Sequence, residues 1–311
     1  MSIRLTASIA RAGVELVAMS DRSISQATDV SVRCLGHLLH GSTIEKLQRN
    51  MRDGCCFCMG DARHPNAFIT VQLNPARRAR LTVLVVQRDR QRERRATELL
   101  ARVTQVLEEI DVVQIYAQYL GGGPLDASLS PFLMSQGFSA PRPIETALKC
   151  AIPSVETPWI QKWRKLRPGF HSKPWNAEAA EVARDVCLQQ RMPCFLHPQR
   201  HYEPHTSLAL YEEDRLIGWA MTERITPDTL RCQQLYVVPG PTHRGLGIAM
   251  LAAGIYQQHL HLRDKVKFAY WETDIHNGEM QRLLRRRLAP HTVWERPILL
   301  SQKNLDEQAC C

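Results

Sequence analysis

The sequence predicts an α/β protein built as two tandem copies of one fold. Strand-like apolar runs alternate with amphipathic helical stretches in both halves of the chain. The two series overlay at a constant offset of 152, which sets Val238 on Val86, Arg244 on Arg92 and Leu251 on Leu99. In the second half, one strand runs into a Pro/Gly turn from which a helix opens on closely spaced glycines. Length agrees, since 311 residues make about two domains at ~150 residues each.

In chain order, residues 1–26 are rich in Ser, Ala and Ile, with Arg4 and Arg11 as isolated charges. They read as a leader that is a mobile segment, a secretion signal or a first helix. The first copy is expected over 27–152. Segments 54–60 and 67–73 form a hairpin, and 81–86 (LTVLVV) is a buried strand. Leu99, Leu100, Val103, Val106, Leu107 and Ile110 then share one helical face. A strand over 112–120 and a short helix over 130–137 follow. A Pro/Ser/Thr/Glu stretch at 153–158 reads as the linker, and the second copy spans 153–311. There, 206–211 and 216–224 flank the polar turn Glu212-Glu213-Asp214 as a hairpin. Next come a strand at 231–238, a helix ending near His261, a strand at 266–273, a helix at 278–288 and a last strand at 293–300.

Composition narrows the partners. Lys plus Arg (40) less Asp plus Glu (31) leaves +9, a surplus that favours anionic partners such as nucleotide cofactors. The hydrophobic share of 44% excludes a disordered or fibrous chain. The longest apolar stretch, about 245–256, is too short for the ~20 residues of a membrane span, so no membrane partner is expected. The ten cysteines follow no disulfide-scaffold spacing, which points to a reducing cytoplasm.

The most informative segment is 235–249, LYVVPGPTHRGLGIA. Gly245 and Gly247 let backbone N–H groups approach a ligand with no Cβ in the way. A helix N-terminus adds unpaired donors and a positive dipole end, which suit a pyrophosphate. His243 and Arg244 are expected to add charge at the rim. A nucleotide P-loop is excluded because no Lys-Ser/Thr ending follows. The dinucleotide G-x-G-x-x-G form fails at Met250.

With Arg244, Gly247 and Ala249 as R-x-x-G-x-A after L-Y-V-V-P, the second half resembles the GCN5-related N-acetyltransferases (GNAT), from about 170 to 300. The resemblance implies two tandem acyl-CoA N-acyltransferase-like domains with mixed sheets, the second binding acetyl-CoA or another acyl-CoA. It implies that the sheet splays between its fourth and fifth strands. The pantetheine arm then pairs with Tyr236, Val237 and Val238, and the pyrophosphate lies on the amides of Arg244, Gly245, Leu246, Gly247, Ile248 and Ala249. In W-E-T-D-I-H-N, Glu272 stands at the family's base position and Asn277 at its Asn. The expected reaction is acyl transfer to a primary amine, on a small molecule or a protein, by direct attack. Partial burial among Phe268, Tyr270 and Trp271 is expected to raise the Glu272 pKa; the alternative is a strand-end Glu that faces water.

Two positions depart from the family. Leu284 occupies the place of the usual acid Tyr, which leaves Tyr236, Tyr270 or water to serve, or no positioned acid. Gln233 replaces a fourth-strand Glu. In the first copy, the offset puts Glu93 and Arg95 in place of the two glycines, so that half reads as degenerate. These departures support the alternative of a non-catalytic CoA-binding regulator or interaction module.

Other clusters carry less. Cys55, Cys56 and Cys58 with His37, His40 and His64 lack a clear second zinc-ligand pair, and the hairpin reading is preferred with no metal. His197, His201 and His205 are read as surface histidines. The basic and aromatic run at 162–167 comes with no recognised nucleic-acid module and reads as a solvated helix. Cys310 and Cys311 match no lipidation pattern.

Overall fold

The computed structural model describes residues 15–17, 54–61, 64–74, 76–86, 94–190 and 202–305. Most of the leader, His37, His40, the segment from Arg88 to Glu93, His197, His201, Cys310 and Cys311 lie outside them, as do the side chains of Cys55, Cys56, Cys58 and His64. By compactness the chain forms two units, Met1–Ile144 with Pro297–Cys311, and Glu145–Arg296.

The first unit contains β1 (Glu15–Val17), β2 (Gly54–Asp61), β3 (His64–Leu73), β4 (Arg78–Val86), α1 (Arg95–Glu109), β5 (Gln114–Leu120) and α2 (Pro124–Ser135). The second takes β6 (Arg142–Ala151), α3 (Pro158–Trp163), β7 (Phe170–Pro174), α4 (Ala177–Gln189), β8 (Leu208–Glu212), β9 (Arg215–Thr226), β10 (Thr229–Val237), α5 (Leu246–Leu262), β11 (Phe268–Asp274) and α6 (Gly278–Arg287). The last strand, β12 (Thr292–Asn304), pairs from Ile298 onward with β5.

In the first unit the strands lie in the order β1-β2-β3-β4-β5-β12, and in the second β7-β8-β9-β10-β11-β6. Each set is antiparallel except for one parallel pair, β4 with β5 and β10 with β11. A helix makes each parallel crossover, as such a connection requires. In α1 the stripe expected from the sequence is buried: Leu99, Leu100, Val103, Val106 and Leu107 pack on Ile69, Val71 and Ile115.

Helix α5 is apolar on nearly every side because it is covered from two directions. Leu246, Met250 and Ala253 meet Leu208, Leu210 and Ile217 of the sheet. Leu251, Ala252 and Ile255 share a cluster with Trp159 and Ile160 of α3. An all-apolar helix of this kind belongs inside a domain. That is why the stretch stood out in the sequence without being long enough for a membrane. Among the described residues, no helix is long and apolar enough to cross one.

Chain order and compactness divide the protein differently. Strand β6, which precedes the Pro-rich stretch, pairs with β11 from Phe268↔Ala151 to Asp274↔Glu145. The C-terminal strand pairs with β5 from Ile298↔Leu120 to Asn304↔Gln114. The open side of each parallel pair is thus covered by the final strand of the other repeat, and a covered edge is what a sheet needs.

The register of the repeats also shifts by one. Strands β4 and β10 begin at 78 and 229, and helices α1 and α5 at 95 and 246, an offset of 151. Arg94, φ 57°, therefore matches Gly245, φ 84°, each the left-handed residue that caps its helix. Ala96 matches Gly247. The expected counterparts, Glu93 and Arg95, are each displaced by one, because the helix caps set the register.

Candidate functional site

The two parallel strands of the second unit stay paired only from Thr229↔Phe268 to Cys232↔Trp271. Beyond that point β10 keeps its partner β9 as far as Val237↔Gly218. Its other edge is unpaired, so backbone groups there are free for a ligand. A bulge marks the parting: Cys232↔Thr222 is followed by Gln234↔Met221, which leaves Gln233 as the extra residue. Its side-chain oxygen is buried and has no hydrogen-bond partner among the described residues.

The strand leads into the glycine loop. Gly245 is there for two reasons. Its φ of 84° is disfavoured for residues with a Cβ, and a Cβ would come within 2.9 Å of the Trp163 ring. Gly247 differs, because a Cβ built there meets no protein atom within 4 Å. The space over Gly247 is open, on the side where the helix begins. The Leu246 amide donates to the His243 carbonyl at 3.1 Å and Ala249 to Gly245 at 3.1 Å. Among the described residues, the amides of Arg244, Gly245, Gly247 and Ile248 have no backbone acceptor. Unpaired donors at a helix start beside open space form a cradle that fits a pyrophosphate.

Side chains fix the loop from beneath. Arg167 Nη2 donates to the Thr242 carbonyl at 2.5 Å and to the Arg244 carbonyl at 3.4 Å. His243, expected at the rim, is turned inward. Its Nδ1 is 2.6 Å from the Val238 carbonyl, and its Nε2 is 3.5 Å from Glu212. Only 9% of His243 is exposed, so its part is to brace the turn. Arg244 is exposed and remains the rim cation.

Glu272 lies one residue past the last parallel pair, at the mouth of the splay. It is not a strand-end carboxylate facing water alone: Arg231 donates to its Oε2, and the Tyr270 hydroxyl donates to Oε1 at 2.7 Å. Arg231 Nη1 also stands 3.7 Å from Glu223, which is 4% exposed. The row Glu223, Arg231, Tyr270 follows from the register, with Glu223↔Arg231 and Arg231↔Tyr270 as cross-strand neighbours. Burial first, and then the nearby Glu272 charge, push the Tyr270 phenol well above its ordinary pKa. Glu272 is partly buried beside Tyr270, one of the aromatic residues expected around it. The structure adds a cation, Arg231, to that phenol, a constellation that strand alternation brings together across two strands.

The remaining expected positions are also placed. Tyr236 packs on Trp219 with ring centroids 4.8 Å apart, and burial raises its pKa. The Val238 amide donates to the Ile217 carbonyl at 2.7 Å and is therefore occupied. Asn277 caps α6, its side chain accepting from the Met280 amide at 3.1 Å. Leu284, 4% exposed, sits in the core with Trp271 and Leu288. His205 stacks on His261 at the far end of α5 from the glycine loop. Among the described residues, no group of three metal-ligating side chains occurs. Sequence reading missed Arg231, Glu223, Arg167 and Trp163, and only the strand register or the loop packing would have singled them out.

Residues 161–289 match the family model described as Acetyltransferase (GNAT) family. Solved structures are similar over nearly the whole chain. A tandem GNAT protein from the clavulanic acid biosynthesis pathway aligns with a TM-score of 0.69 and 14% identity, over 94% of this chain and 98% of its own. A probable N-acyltransferase from Enterococcus faecalis gives a TM-score of 0.58 at 14% identity, covering 93% and 71%. A GCN5-related N-acetyltransferase from Sphaerobacter thermophilus gives 0.53 at 14% identity, covering 94% and 95%. No curated protein matches the sequence. Residues 161–289 are thus similar to the GNAT acetyltransferase domain, and the chain as a whole has a fold like that of the tandem GNAT protein.

Proposed function

We propose that the second repeat is an acyl-CoA-dependent N-acyltransferase, acting on a primary amine by direct attack, and that the first is a degenerate copy. The observation that carries this reading is the open space over Gly247, bordered by unpaired amides at the start of α5. The free amides of Arg244, Gly245, Gly247 and Ile248 hold the pyrophosphate, with the Arg244 guanidinium adding charge; those of Leu246 and Ala249, expected to share in this, are engaged within the loop. The free edge of β10 from Tyr236 holds the pantetheine arm.

When bound, acyl-CoA supplies an activated acyl group as a thioester. The protein's own residues do the rest. Strand alternation points successive amides to opposite edges. Since the Val238 amide faces β9, the Val237 amide faces the splay, where it can donate to an acyl oxygen as negative charge develops. Glu272, directly or through a water, takes the proton from the attacking amine. Arg231 and Tyr270 hold its carboxylate in place.

A second reading, a CoA-binding regulator without catalysis, is favoured by Leu284. A leucine buried in the core cannot donate a proton. Thiol release on mixing acetyl-CoA with a panel of primary amines decides between them. Amine-dependent release supports the enzyme. Tight CoA binding with no release across small amines, amino sugars and peptide N-termini supports the regulator.

A further inference from the structure

Beneath α5 lies a cavity of about 60 Å³, walled by apolar groups from the sheet and the helix. Native interiors are close-packed, and an empty apolar space of this size is uncommon. Its place in the fold is informative. Cys232 and Trp271, the last pair before the parallel strands part, both line it, as do Gln234 and Leu235 from the unpaired half of β10. The cavity therefore begins where the splay ends.

Its polar neighbours are already engaged. Gln258 donates to the Val266 carbonyl at 2.8 Å, and the hydroxyls of Thr206 and Thr222 pair at 2.6 Å. The two thiols in the wall stay protonated. Burial pushes Cys150 up to about 11 and raises Cys232 well above its ordinary value. The helical wall has a gap at Gly254, in the middle of α5. Glycine there costs ~1 kcal/mol of helix stability relative to alanine. A Cβ would meet only the Thr206 carbonyl, at 3.8 Å, so sterics do not demand the glycine. The residue instead keeps the space open.

Building on the acyltransferase reading, we infer that this cavity receives the tail of the acyl group and that the protein prefers an acyl chain longer than acetyl. A volume of about 60 Å³ is several times the ~10–15 Å³ that one water needs on the same measure, so there is room for at least two methylenes. Butanoyl is the acyl group that adds two methylenes to acetyl. Each buried methylene strengthens binding by about fourfold, so butanoyl-CoA is expected to bind about 15-fold tighter than acetyl-CoA.

The test is calorimetric titration of CoA, acetyl-CoA and butanoyl-CoA into the full chain, wild type and two variants. Gly254→Ala adds one methyl to the gap and is expected to fold and to shrink the butanoyl advantage. Gly254→Leu is expected to abolish the advantage and leave free-CoA affinity unchanged. If Gly254→Leu does not fold, the smaller variant carries the test alone. Equal affinity of wild type for acetyl- and butanoyl-CoA, or an advantage undiminished in Gly254→Ala, overturns the inference while the acyltransferase reading stands. Failure of CoA itself to bind overturns both.

Discussion

The two repeats agree in their strands and differ in their chemistry. Each parallel pair holds for four registers, Arg78↔Gln114 to Leu81↔Ala117 in the first and Thr229↔Phe268 to Cys232↔Trp271 in the second. Each then has a one-residue bulge, at Thr82 and at Gln233. Each carries an Arg beside a Tyr across that pair, Arg80↔Tyr116 and Arg231↔Tyr270. The neighbours of the arginines differ. Where the second repeat has Glu223 and Glu272, the first has Gln72 and Gln118, so both carboxylates have become carboxamides. Arg231 is satisfied, whereas Arg80 Nε is buried with no partner among the described residues. At the bulge the contrast reverses: Thr82 bonds to Thr70, and the Gln233 oxygen has no partner among the described residues. The common features are those a splayed sheet requires. The differing ones are those that the proposed function assigns to CoA binding and proton transfer, and they are present in one copy.

Substitutions that make one repeat resemble the other test this contrast. The largest expected effect is on activity. Glu272→Gln gives the second repeat the carboxamide of the first and should lower kcat/KM by about 10²–10⁴, with CoA affinity within a factor of about two by calorimetry. A full rate in the variant removes Glu272 from the chemistry. Gly245→Ala, toward the side chain found at Arg94, meets both a left-handed φ and the Trp163 ring. It should cost about 2 kcal/mol in chemical denaturation and weaken CoA binding.

Smaller effects run in the opposite direction. Gln118→Glu gives Arg80 a charge partner and should stabilise the chain by about 1 kcal/mol. That gain should be absent from Arg80→Met carrying the same change, as a double-mutant cycle would show. Arg94→Gly relieves a left-handed residue with a Cβ but frees the unfolded chain. The net gain should be about 0.5 kcal/mol, and no CoA site should appear in the first repeat.

Legibility in the sequence followed the physics of each feature. The glycine loop was readable because backbone approach and a left-handed cap both demand glycine at particular spacings. The hairpins were readable from strands flanking polar turns, and Glu213 does take φ 52° in one of them. Helix α4 was not read because its buried face consists of Ala179, Ala183 and Cys187, small residues that leave little apolar periodicity. The exchange of β6 and β12 was hidden because a strand's pattern tells which faces are buried and not which strand lies beside it. His243 looked like a rim cation in sequence. Its inward turn is held by the Val238 carbonyl and by Glu212, a neighbour brought up by the fold from 31 positions away. Arg231 is a charge in mid-strand, and only the register shows that it joins two carboxylates.

The central claim is that one of two similar repeats has a working CoA cradle, and counting sites tests it most directly. Calorimetric titration of CoA into wild type and Gly247→Glu should give one molecule bound per wild-type chain. The variant should bind none and keep its melting temperature, since the added side chain enters space that no protein atom occupies. Two molecules per chain, or binding that survives Gly247→Glu, would contradict the account.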